Sequence, residues 1–240
     1  MAAVIPAPAP APSSDERRLP RTEPVPGRPE YNPPLVPVGY DFKSSPDYKR
    51  VQLYQTMTLR PNRSAELDKI VKTGLLGVDH YLKVSNATGV PWWVILCLHN
   101  MECDLSFRKH LHEGSPLTGR TRDDPKGCPK PPDPKGMPPF EWTYSAEDAL
   151  RHDYLDKVTE WSLYTSLWKM EMYNGPGYWK YHPKVNSPYL WSGTNQFTCG
   201  KYVRDGKWDP NAPSDQIGCA AILKRMEEMQ LVRIQQRPGS

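Results

Sequence analysis

One carboxyl group stands where its surroundings would change its chemistry. Glu102 is the first acidic residue after the unbroken apolar run Trp92-Trp93-Val94-Ile95-Leu96-Cys97-Leu98. On a helix, Ile95, Leu98, His99 and Glu102 share one face. Partial burial there disfavours the carboxylate and raises its pKa, which is what a general acid needs near neutral pH. The plainer alternative is a solvated helix end, or an ion pair with Arg108 or Lys109. A second cluster, Cys103, His99, His110 and His112, raises the question of zinc. Its spacing matches no standard zinc pattern, so no metal and no cofactor are expected.

The elements that must position Glu102 follow from punctuation and periodicity. Pro91 suits the first turn of a helix, and the seven apolar residues after it predict a helix buried on every side. One helix is expected from Ser64 through Leu67, Ile70 and Val71, and another over Leu75, Leu76, Val78, Tyr81, Leu82 and Val84. Asn86-Ala87-Thr88-Gly89 then breaks the pattern. Residues 47–60 suit a short strand or entry segment. Gly and Pro after Glu102 suggest a small hairpin or a pair of turns. Ser145-Ala146-Glu147-Asp148 reads as a capping box for a helix to about Leu155. The next helix would place Trp161, Tyr164, Thr165, Trp168 and Met172 on one face and end at Asn174-Gly175-Pro176-Gly177. A Tyr- and Trp-rich loop over 178–208 follows. Ser214 would cap a last helix whose apolar face is Cys219, Ile222, Leu223 and Met226. Five or six helices and a small β element are expected.

The chain has 240 residues, enough for one large domain or two small ones. Twelve of its 28 prolines precede residue 47. Residues 1–46 therefore read as an extended, proline-rich arm or linker, with a protein partner as the functional alternative. Residues 47–235 form the expected domain. The net charge of +4 comes without a basic stripe interleaved with aromatics, which argues against nucleic acid. It would help slightly on an anionic polymer. Aromatics lean to 13 Tyr and 8 Trp against 4 Phe, rings that stack on sugars and still hydrogen-bond, though they serve an ordinary core equally well. Five cysteines cannot all pair internally. No run approaches the ~20 apolar residues of a membrane span. The N-terminus lacks a basic start and an apolar core, so synthesis in the cytoplasm and exit by lysis, a phage particle or a dedicated machine are expected.

Two separated segments resemble one family. Glu102-Cys103-Asp104-Leu105-Ser106-Phe107 is similar to the catalytic-glutamate segment of the lysozyme-like superfamily, where a helix delivers Glu and a small or polar residue and an aromatic follow. Tyr173-Asn174-Gly175-Pro176-Gly177-Tyr178 resembles the Tyr-Asn-Gly-rich motif of goose-type lysozymes and soluble lytic transglycosylases, at a compatible separation. His99-Asn100-Met101-Glu102, His110-Leu111-His112, Pro116-Leu117-Thr118 and Val185 to Ser192 resemble a group of bacterial and phage proteins of that superfamily. The resemblance covers roughly residues 65–230. It implies a mainly α, lysozyme-like α+β domain with a small β-hairpin. It also implies cleavage of β-1,4 bonds in peptidoglycan, with Glu102 protonating the leaving oxygen.

On the same basis Tyr173 and Asn174 would orient the acid or the sugar's acetamido group, with a helix C-cap as the structural alternative. The family hairpin offers an acid and a Thr to hold water, here Glu113, Thr118 and Thr121. Members commonly carry Asp where this chain has Ser115, which leaves the base open. Asp153 and Glu171 are reserves, better read as surface charges. A second carboxylate at about 6.5–9.5 Å would make an inverting hydrolase. Without one, a lytic transglycosylase would use the sugar's own acetamido and 6-hydroxyl groups. Tyr178, Asn186, Tyr189, Trp191 and Asn195 are the expected glycan-groove residues, with Tyr189 and Trp191 as plugs of a satellite core in the plainer reading. Two rival functions remain: a non-catalytic wall-binding or structural part of a phage tail or secretion particle, and a chitinase or chitosanase.

Overall fold

Ten of the twelve residues from Trp92 to Cys103 are buried, on all sides of one helix, α4. Pro91 starts it: its carbonyl accepts from the N–H groups of Val94 and Ile95 at 3.0 and 3.2 Å. Its far end is closed by Asp104 and Leu105, both left-handed at φ 51° and 59°. Their N–H groups bond back to Asn100 and His99 carbonyls at 3.1 and 3.2 Å, which reverses the chain directly after Glu102.

The computed structural model describes residues 46–123, 125–130, 137–204 and 206–234. Of the arm expected over 1–46, only Pro46 falls within them. Around α4 pack α2 (Ser64–Leu76), α3 (Val78–Thr88), α6 (Leu163–Tyr173) and α9 (Cys219–Glu228). A helix apolar on every side is stable only inside such a ring. Outside it, α1 (Pro46–Thr56) lies on α6, α5 (Trp142–His152) on α3, and the short α8 (Pro188–Trp191) on α6 and α9. A one-turn helix, α7 (Gly177–Tyr181), leads to an antiparallel pair, β1 (Lys201–Arg204) and β2 (Lys207–Asp209). The chain is thus mainly α with a small two-stranded sheet among the described residues.

Several sequence expectations change. The entry segment is a helix, α1, and the count rises to nine α-helices among the described residues, because α7 and α8 form within the aromatic-rich loop. The hairpin lies at 201–209. After Glu102 the chain makes turns, the second of the two expected alternatives, with an isolated bridge between Lys109 and Pro116. The capping box is absent: α5 begins at Trp142, and Ser145 lies inside it, fully buried. Ser214 does not cap α9, whose N-cap is Gly218. The face of α6 is also shifted. Leu163, Ser166, Leu167, Met170 and Glu171 are buried, while the wide rings Trp161, Tyr164 and Trp168 lie at the boundary. Glu171 is a buried ion-pair partner of Arg50 rather than a surface charge. Cys97 behaves as a small core residue, as expected, and all five cysteines are free.

Candidate active site

The carboxyl of Glu102 is half-buried at the end of α4, and its Oε1 accepts from the hydroxyl of Tyr189 at 2.7 Å. Neither Arg108 nor Lys109 takes it, and Lys109 instead lies 3.7 Å from Asp104. Burial raises the Glu102 pKa to about 7. The Tyr189 hydrogen bond opposes that rise, and the negative charges of Asp153 and Glu113 add to it. At neutral pH the group is therefore divided between acid and carboxylate, the state a proton donor uses.

Helix ends build this surrounding. Glu102 is one residue from the end of α4, Asp153 is the C-cap of α5, and Tyr173 is the last residue of α6. Helix C-termini carry partial negative charge and disfavour a further anion nearby. Tyr189 projects from α8. Burial raises its phenol well above the usual range, and the nearby Glu102 adds to this, so it stays a donor to the carboxyl. Tyr173 acts one step back: its hydroxyl donates to the Leu111 carbonyl at 3.0 Å and ties α6 to the turn over 110–115.

That turn presses on α4. Gly114, at φ 79°, comes so close that a Cβ there would lie 2.5 Å from the Glu102 carbonyl oxygen. Glu113, beside it, accepts from the hydroxyl of Ser115. The two histidines of the turn anchor it to α5. His110 Nδ1 pairs with Ser145 Oγ at 2.7 Å, and Nε2 donates to the Gly119 carbonyl at 2.8 Å. His112 Nε2 lies 3.0 Å from Asp148 Oδ2. Phe107 packs among His80, Tyr81, His99 and Trp142, with centroids 4.6 to 5.6 Å apart.

Of the sequence-proposed residues, Glu102, Glu113, Tyr173 and Tyr189 come together. Asp153, held in reserve, joins them through its charge. Thr118 is exposed on the turn. Thr121 does not join; its hydroxyl is spent inside the 121–128 loop, bonding the Pro125 carbonyl and the Cys128 N–H. Asn174 is the exposed C-cap of α6. Trp191, 1% exposed, is a core residue with no face for a ligand. Tyr178 is buried too, its hydroxyl accepting from Tyr202 N–H at 3.3 Å within a cluster containing Tyr202 and Trp208. Asn186 donates to the Gln196 carbonyl at 2.8 Å, and Asn195 accepts from Thr58 N–H at 2.8 Å, so both brace loops.

Of the four residues raised for zinc, His99 pairs with the Tyr81 hydroxyl at 2.8 Å and is held neutral, its pKa lowered by burial to about 4. Cys103 donates to the His110 carbonyl at 3.1 Å. The roles of Ser145 and Asp148 were hidden in sequence by their resemblance to a cap. The H-x-H pair was the available signal, though its two contacts are made from a tight turn, closed by Gly114 N–H to the His110 carbonyl at 2.9 Å, rather than from an extended stretch. Comparison of the chain with family models, curated proteins and solved structures gives no match in any of the three.

Proposed function

We propose that the protein cleaves β-1,4 glycosidic bonds of peptidoglycan, as a muramidase or lytic transglycosylase, with Glu102 as general acid. The observation that carries this reading is the half-buried Glu102 carboxyl at the end of α4, held by the Tyr189 hydroxyl at 2.7 Å, in surroundings that raise its pKa. Breaking a glycosidic bond requires a proton on the leaving oxygen as the ring becomes oxocarbenium-like. The protonated Glu102 supplies it. The negative charges of Glu113 and Asp153 would favour the developing cation. Glu113 is the first candidate to position or activate water. Tyr189 orients the acid, and Tyr173 positions the turn that carries Glu113. The resemblance of Glu102–Phe107 and Tyr173–Tyr178 to lysozyme-like enzymes supports the same chemistry and the wall as its place of action.

The test is release of soluble fragments from purified cell walls, with mass analysis of the ends. Glu102→Gln should lower the rate by about 10²–10⁴-fold, the usual contribution of a positioned general acid. Glu113→Gln separates the two mechanisms. Hydrolysed ends that vanish in this variant indicate a base at Glu113, whereas anhydro ends that persist indicate a lytic transglycosylase. Equal wall cleavage by wild type and Glu102→Gln sinks the proposal. Cleavage of chitin or chitosan oligosaccharides but not of walls would move the same chemistry to another amino-sugar polymer.

A further inference from the structure

His112, Cys128 and Asp148 come from three segments, the turn after α4, the 121–130 loop and α5. A ring nitrogen, the sulfur and a carboxylate oxygen lie within 4.8 Å of one another. We propose that these three side chains form a binding site for a zinc-class divalent ion that ties the loop and the turn to α5. The site is separate from the proposed proton donor and does not depend on glycan cleavage.

The donor set fits such an ion. Imidazole, thiolate and carboxylate together suit borderline-soft Zn²⁺, whereas Mg²⁺ and Ca²⁺ take oxygen shells. Bonds of about 2.0–2.3 Å in a tetrahedral site leave ligand atoms roughly 3.3–3.8 Å apart. His112 Nε2 and Asp148 Oδ2, at 3.0 Å, are already closer than that. The widest separation in the trio is under 4.8 Å, so a shift of about 1 Å in one side chain closes the shell. The His112 side chain is fully buried and Cys128 nearly so, while the Asp148 side chain is 34% exposed. The ion would enter on the Asp148 side, where water fills the fourth position.

Two further observations distinguish this trio from a chance His–Asp pair. The backbone of Cys128 is fixed in advance. Its N–H donates to Thr121 Oγ1 at 2.8 Å, and its carbonyl accepts from Thr121 N–H at 3.0 Å. Thr121 thus holds a ligand, which is the use the structure gives that residue. The neighbouring His110 has both ring nitrogens committed, but His112 Nδ1 is buried with no hydrogen-bond partner among the described residues. Asp148 Oδ2 holds the ring proton on Nε2, and a cation binding at Nε2 would move that proton to the unpartnered Nδ1.

The experiment uses the full chain, stripped with chelator and titrated with Co²⁺ and then Zn²⁺. One equivalent of Co²⁺ should bind with a thiolate-to-metal band in the near ultraviolet, and one Zn²⁺ should displace it and raise Tm. Cys128→Ser should lose the band, and Asp148→Asn should bind at least tenfold more weakly. Cys199→Ser, which changes the one cysteine that is not buried, should behave as wild type. Far-UV circular dichroism checks that each variant folds. If Cys128→Ser does not fold, the half-exposed Asp148→Asn carries the test. Absence of a thiolate band in wild type, or its persistence in folded Cys128→Ser, overturns the site.

Discussion

At the scale of single residues, Glu102 links stability to pH. Its folded pKa is about 7 against an ordinary 4.5. Between those values the folded chain keeps a proton that the unfolded chain has released. The group's favourable contribution is therefore complete below about pH 4.5 and is lost as pH rises through about 7. Gln carries no such charge. Glu102→Gln should match wild type in stability below pH 4.5 and exceed it by about 3 kcal/mol at most at pH 8, as read by urea unfolding at both pH values. The catalytic rate should fall about tenfold per pH unit above about 7 as the donor loses its proton. Tyr189→Phe removes the hydrogen bond that lowers this pKa. The midpoint of the alkaline limb should then move upward by about one pH unit, a hydrogen bond to a charged group contributing roughly 1.5–3 kcal/mol. A midpoint that stays put or moves down would show that Tyr189 does not act on the acid.

At the scale of elements, the join between α4 and the turn after it sets the site. Asp104 and Leu105 both take left-handed backbone, at about 1–2 kcal/mol each for residues with a Cβ. Gly114 lets the returning turn touch the Glu102 carbonyl. Gly114→Val should fail on two counts, a positive φ and a Cβ 2.5 Å from that oxygen. We expect a loss of at least about 2 kcal/mol and a fall in activity exceeding the unfolded fraction, measured by thermal melts beside wall-cleavage rates. The α3 boundary has a similar dependence. Gly77 faces the Phe107 ring, where a Cβ would come within 2.2 Å, so Gly77→Ala should displace Phe107 from Tyr81, His99 and Trp142 and lower Tm.

At the scale of the whole molecule, α4 is enclosed by helices drawn from both halves of the chain. One clamp between those halves is polar: Arg50 on α1 and Glu171 on α6 form a buried ion pair, with the guanidinium 4.7 Å over the Trp168 ring. Glu171→Ala leaves a buried cation without its carboxylate and should cost about 3–5 kcal/mol. The double change Arg50→Met with Glu171→Leu should recover most of that loss, because an apolar pair avoids desolvating two charges. Denaturant unfolding of the three proteins tests this, and a double variant no better than the single one would mean that the pair is needed for packing.

What could be read from the chain alone were features set by local rules. An unbroken apolar run must be enclosed, Pro91 starts a helix, Asn174-Gly175 ends one, and Glu102 follows greasy text. These fixed the central helix and its acid because neither depends on a distant partner. Sequence misread Ser145, Asp148 and Glu171 and left Trp191 open between a sugar platform and a core plug, and each case has one cause. A serine inside a helix looks like a cap until His110 arrives, a carboxylate looks solvated until Arg50 covers it, and a tryptophan looks like a sugar platform until α8 is pressed onto α9. Long-range packing decided those roles, and with them the pairing of Glu102 with Tyr189, 87 residues away, and the meeting of His112, Cys128 and Asp148. Local propensity is short-ranged, whereas burial and charge pairing act wherever the folded chain brings surfaces together.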